Sequence, residues 1–189
     1  MTGMTWVWIA VGLIVLIAIF LFNRLVLLRQ AWNRAFADID VQLKLRQDLV
    51  PNLVETVKGY AAHESGVFEQ VAAARSAAMN ANGVAAKSAA EGALTGALGN
   101  LFAVAENYPQ LRASENFQQL QAELADIENK IAASRRFMNN AAAEYNSAIQ
   151  QFPALLIAGP FGFKPAQMFA LDDSERAAAK NAPQVKFGG

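Results

Sequence analysis

The chain of 189 residues has no cysteine and a single histidine, His63. Without a thiol there is no disulfide, no thiolate nucleophile and no Cys-built zinc site. With one imidazole, any triad with a histidine base must run through His63. The Glu-x-x-His pair of bundle metal centres is missing as well, because Tyr60 stands three residues before His63. An excess of either charge is also lacking: sixteen Lys and Arg cancel sixteen Asp and Glu, so no basic field invites nucleic acid. The β-branched and aromatic runs of strands are absent. Gly92, Gly96 and Gly99 lie in an alanine-rich stretch, and none is followed by the Lys-Ser/Thr of a phosphate-binding loop. These gaps predict a non-enzyme with no catalytic residue, no cofactor and no metal.

What the chain does have is an uncharged opening run, Met1 to Asn23, closed by Arg24 and apolar from Trp6 to Phe22. At about 1.5 Å per residue such a helix matches a hydrocarbon core about 30 Å thick. No Lys or Arg precedes Trp6, and the run leads into Arg24-Leu25-Val26-Leu27-Leu28-Arg29 without a small-residue cleavage site, which argues for a retained anchor over a signal peptide. Basic residues follow at Arg24, Arg29 and Arg34 with no acid before Asp38. The positive-inside rule then predicts an outer N-terminus and a cytoplasmic domain. Trp6 and Trp8 are expected at the outer interface, Arg24 and Arg29 at the inner one.

The remainder predicts an all-α fold: an antiparallel bundle of three to four long helices over residues 24–153, after the anchor at 1–23. Phe117, Leu120, Leu124, Ile127, Ile131, Ser134, Met138, Ala141, Tyr145, Ala148 and Phe152 step by three and four, a heptad seam with Ser114 as N-cap and Pro153 as stop. The acids of this helix, Glu128 among them, mostly fall off the seam and read as a solvated face. Leu25, Leu28, Trp32, Phe36, Ile39, Leu43, Val50, Leu53, Val57 and Tyr60 form a similar stripe leaving the membrane. Pro51 should kink it near Asp48. Arg46 falls inside this stripe; snorkelling past the seam is the expectation, a buried ion pair the alternative. Asn80-Ala-Asn82-Gly83 marks a turn between helices expected at about 68–81 and 85–107.

Two surfaces are candidates for self-association. Gly92 and Gly96 have small-xxx-small spacing, which suits tight packing within the bundle or a dimer face. The apolar, Pro/Gly-rich segment at 154–171, with Phe161 and Phe163, reads as a cap over the bundle end. A latch on a neighbouring protomer, or a lipid contact, is the functional alternative. Residues 172–189 are expected to be a flexible tail.

The block from Asp38 to Glu64, with Leu49-Val-Pro-Asn-Leu-Val-Glu-Thr-Val-Lys-Gly-Tyr60 at its centre, resembles the signature of the LemA family. Glu115–Gln121, Arg135–Asn139, Tyr145-Asn146, Phe152-Pro153 and Phe161-Gly-Phe163 are similar to its later blocks. The resemblance implies a bacterial membrane protein with an outer N-terminus, a cytoplasmic bundle usually of four long helices, and no established activity or catalytic residue. It also implies a part in membrane organisation. The combined expectation is a single-pass protein of the bacterial inner membrane. Its partners would be the lipid bilayer, further copies of itself as a homo-oligomeric scaffold, and possible unidentified proteins. A monomeric tethered adaptor for one cytosolic protein is the alternative.

Overall fold

The computed structural model describes residues 2–169, so the tail expected from residue 172 lies outside the described residues. Among these, six helices and no strand are present: α1 (Thr2–Lys58), α2 (Ser65–Asn80), α3 (Val84–Glu106), α4 (Pro109–Arg112), α5 (Glu115–Gln150) and α6 (Leu155–Ala158). The fold is all-α, as expected, with a long apolar N-terminal helix leading a set of further helices.

Helix α1 carries both halves of the sequence pattern. Its first part holds an 18-residue window of mean hydropathy 2.7 that makes no burying contact within the protein, long and apolar enough to cross a membrane. Its second part buries Ile39, Leu43, Arg46, Val50, Leu53 and Val57, alternating steps of four and three. That is the narrow stripe a helix presents to antiparallel neighbours. At about 1.5 Å per residue the whole element is roughly 86 Å long.

Pro51 lies inside α1 without dividing it, and the helix continues through the proline with no restart. A proline lacks the N–H that the carbonyl four residues earlier would receive, which orphans Gln47 O. Arg75 of α2 fills the vacancy: its Nε donates to Gln47 O at 2.6 Å. Tyr60, expected at the end of the stripe, is exposed because α1 stops at Lys58, and Ala61 in the following turn is buried instead.

The chain then runs down, up and down. Gly83 sits at φ 79° between α2 and α3, a left-handed backbone that glycine adopts without a Cβ penalty. Lys87 of α3 pairs with Asp40 at 2.6 Å, so Asp40 turns to a neighbouring helix and not to Lys44 on its own. Lys44 pairs instead with Asp48, one turn further along α1. Together these contacts set α3 alongside α1 and parallel to it, while α5 returns antiparallel, with Glu128 beside Arg46 and Tyr145 to Ile149 beside Leu25.

Helix α5 keeps the predicted seam from Phe117 to Ala148, including buried Leu124, Ile127, Ile131, Met138 and Tyr145. Ser114 occupies its N-cap with extended backbone, though its side chain makes no capping hydrogen bond. Phe152 is a correction. The helix ends at Gln150, two residues before it, and its ring is exposed.

Candidate functional site

Two clusters in the bundle concentrate polar chemistry. The first is interior. Arg46 is 2% exposed, so the expectation that it snorkels to solvent is overturned. Its stem is too deep in the α1 seam for the guanidinium to reach water, and carboxylates on α3 and α5 meet it inside. Nη2 donates to Glu91 Oε2 and, at 3.1 Å, to the Glu91 carbonyl; Nη1 donates to Glu128 Oε1 at 2.6 Å and to Thr95 Oγ1 at 3.0 Å. Thr95 Oγ1 in turn donates to the Glu91 carbonyl at 3.0 Å, and Gln47 Nε2 donates to Glu91 Oε1 at 2.5 Å. Burial alone would lower the guanidinium pKa, but the Coulombic pull of Glu128 and then Glu91, with hydrogen bonds to both, raises it. Arg46 therefore stays charged.

Glu128 is likewise a correction, because it lies at the edge of the bundle and closes this cluster where a wholly solvated side chain was expected. The sequence reading missed Glu91 too. Its signal was register: Val84, Glu91, Leu94, Leu98, Leu101 and Ala105 repeat by sevens, threes and fours, so Glu91 occupies a core position on α3 as Arg46 does on α1. Opposite charges on two facing seams are each other's partners. Both carboxylate oxygens of Glu91 are thereby engaged. Groups of three or more metal-ligating side chains are absent among the described residues.

The second cluster lies where α1 leaves the apolar run. Residues 151–169 fold back over the end of α5 and seat against α1, which agrees with a cap. Ala154 and Ala158 pack on Leu25 and Tyr145. The Phe22 ring meets Phe161 at 5.2 Å and Phe163 at 5.5 Å, both edge-on, and Arg29 lies 5.1 Å above the Phe163 ring. Beyond it the chain is buried at every third residue, Phe163, Ala166 and Phe169, the period of an extended three-per-turn ribbon.

Two asparagines of α5 clamp this ribbon. Asn146 accepts from Ala166 N at 2.7 Å and donates to Ala166 O at 3.0 Å; Asn139 does the same for Phe169 at 2.8 and 3.0 Å. Seven helical residues span roughly 10 Å, as do three extended ones, so the two spacings match. Trp32 Nε1 donates to Gln167 O at 3.2 Å from the α1 side. Beneath the cap, burial pushes the Tyr145 phenol pKa up, against a smaller opposing pull from Arg29, and its hydroxyl has no hydrogen-bond partner among the described residues.

The predicted site residues thus separate. Phe161 and Phe163 come together with Arg29 near the end of the apolar run; Phe163 is buried within its own chain, while Phe161 stays 63% exposed. Gly92 and Gly96 face outward on α3, and a Cβ at either would meet nothing within 4 Å. They do not mediate close packing inside the bundle. Trp6 and Trp8 stand exposed near the start of α1, and Arg24 is exposed one residue after Asn23.

Residues 35–187 match the LemA family model, and the chain belongs to the LemA family. It is similar to magnetosome protein MamQ of Magnetospirillum gryphiswaldense, at 26% identity over 78% of this chain and 64% of the relative. Magnetosome proteins MamQ 1 and MamQ 2 of Paramagnetospirillum magneticum match at the same identity and coverage. The chain therefore spans 64% of the length of these curated relatives.

Proposed function

We propose that this protein is a non-enzymatic scaffold anchored in the bacterial plasma membrane, with its N-terminus outside and its bundle in the cytoplasm. In this reading it assembles with further copies of itself and organises membrane or partner proteins. One observation carries the proposal: a single helix leads from an apolar, uncovered segment straight into a bundle whose buried charges are spent on one another. What such a domain presents to the cell is surface at a fixed distance from the bilayer. The similarity to magnetosome proteins adds support for a role at a membrane.

Orientation rests on Arg24, Arg29 and Arg34 following the apolar run. Anchoring confines the copies to two dimensions and raises their effective concentration, so weak contacts through the outward Gly92 and Gly96 face add up. Light scattering of the full chain in mild detergent and in lipid nanodiscs tests the assembly, and a homo-oligomer is expected. A monodisperse monomer across a wide concentration range refutes the scaffold and favours a tethered adaptor. A reporter fused after Gly189 should be active in the cytoplasm; periplasmic activity reverses the orientation.

A further inference from the structure

We propose that the cap formed by residues 152–164 is a second membrane-contacting element, lying in the interface of the same bilayer that α1 crosses. It rests on α1 being membrane-inserted and is independent of self-assembly.

The first observation is an inverted pattern. A short helix on a water-soluble domain buries its large apolar residues and exposes polar ones. Helix α6 and its N-cap turn their small residues inward, Ala154 and Ala158 on Leu25, and hold Leu155 and Leu156 outward at 55% and 66% exposure. Phe152 and Phe161 extend the same exposed surface. From Tyr145 to Phe163 the sequence has no charged residue to keep that surface wet.

The second observation fixes the level of this surface along α1. Phe22 is the last residue of the apolar run, and Phe161 and Phe163 both touch its ring. The cap is therefore continuous with the end of the span. The third observation is where charge returns. On α1 the uncharged stretch ends at Arg24; on the cap it ends at Lys164, one residue beyond the ring that meets Phe22. Two separate segments pass from uncharged to basic at one height, with Arg29 just above over Phe163. Apolar side chains below and cations above match the acyl boundary and the anionic headgroups of a bilayer surface.

The natural sequence has no cysteine, so single cysteines can be placed without a background. The full chain carrying Leu156→Cys or Phe161→Cys is spin-labelled and reconstituted in phosphatidylglycerol/phosphatidylethanolamine vesicles. Leu13→Cys in the span and Glu55→Cys near the far end of α1 are the references. Oxygen collisions relative to those of a water-soluble nickel chelate report depth. Leu156 and Phe161 labels should show ratios severalfold above Glu55 and below Leu13, with unchanged helicity by circular dichroism. A ratio equal to that of Glu55 overturns the proposal, and protection from both reagents overturns it in favour of a second copy covering the cap. A water-exposed Leu13 defeats the membrane anchor itself, and the cap contact with it.

Discussion

Replacing Arg46 tests the internal charge cluster most directly. Arg46→Ala removes the only cation that touches Glu91 among the described residues, and leaves that carboxylate, whose side chain is 5% exposed, with Gln47. Breaking a buried pair from one side costs about 3–5 kcal/mol, which for a chain of this size lowers the bundle's Tm by roughly 6–20 °C. Glu91→Ala should cost less, about 1.5–3 kcal/mol, because Arg46 keeps Glu128. Glu128 is 38% exposed, so Glu128→Ala should cost about 1 kcal/mol or less. The double replacement Arg46→Met with Glu91→Leu removes both buried charges and fills their space; it should leave stability near the parent or raise it by up to about 4 kcal/mol. Circular dichroism melts of the full chain in mild detergent measure all four. If Arg46→Ala shifts the melt no more than Glu128→Ala does, leaving Glu91 buried without its cation costs nothing extra. The argument from burial then fails.

Three further predictions follow from other contacts. Arg75→Met should destabilise by about 1.5–3 kcal/mol in the parent, but by much less beside Pro51→Ala, where the restored N–H returns to Gln47 O; additive effects would show that the two residues do not share that carbonyl. Asn146→Leu should speed hydrogen exchange at the Ala166 amide, and Asn139→Leu at the Phe169 amide, since each loses the carboxamide oxygen to which it donates; unchanged rates would mean that the asparagines do not hold the ribbon. Leu124→Ala or Ile131→Ala should cost about 2–5 kcal/mol, and exposed Gln121→Ala little; equal losses would refute the seam.

The fold was largely legible because its pattern is one-dimensional. A repeat of three and four residues names both a helix and its buried face, as it does for Ile39 to Val57 and Phe117 to Ala148. The ends were less legible. Phe152 and Tyr60 continue a periodic pattern beyond the point where turn residues stop the helix, and periodicity alone carries no record of that stop. Pairings across helices were the hardest part. Arg46 showed that it occupied a core position, but whether a long cation snorkels or pairs depends on what faces it. Glu91 and Glu128 lie 45 and 82 residues away in the chain. The asparagine clamp was hidden for a similar reason: two asparagines seven apart mean nothing until an extended segment lies against them.

The absence of a joint between span and bundle has a mechanical meaning. In the proposed membrane-anchored scaffold, the part of α1 within the bilayer and the part within the bundle turn as one shaft, because the helix runs unbroken from Thr2 to Lys58. Each residue advances the helix by about 100°, so the azimuth of the span dictates which side of the bundle looks toward a neighbour. A tilt of the span by 10° sweeps the far end, roughly 54 Å beyond Phe22, through about 9 Å. Changes in bilayer thickness, which spans accommodate by tilting, would thus be magnified at the distal end of the bundle. There a small slope in the lipid becomes a change in the spacing between neighbouring posts.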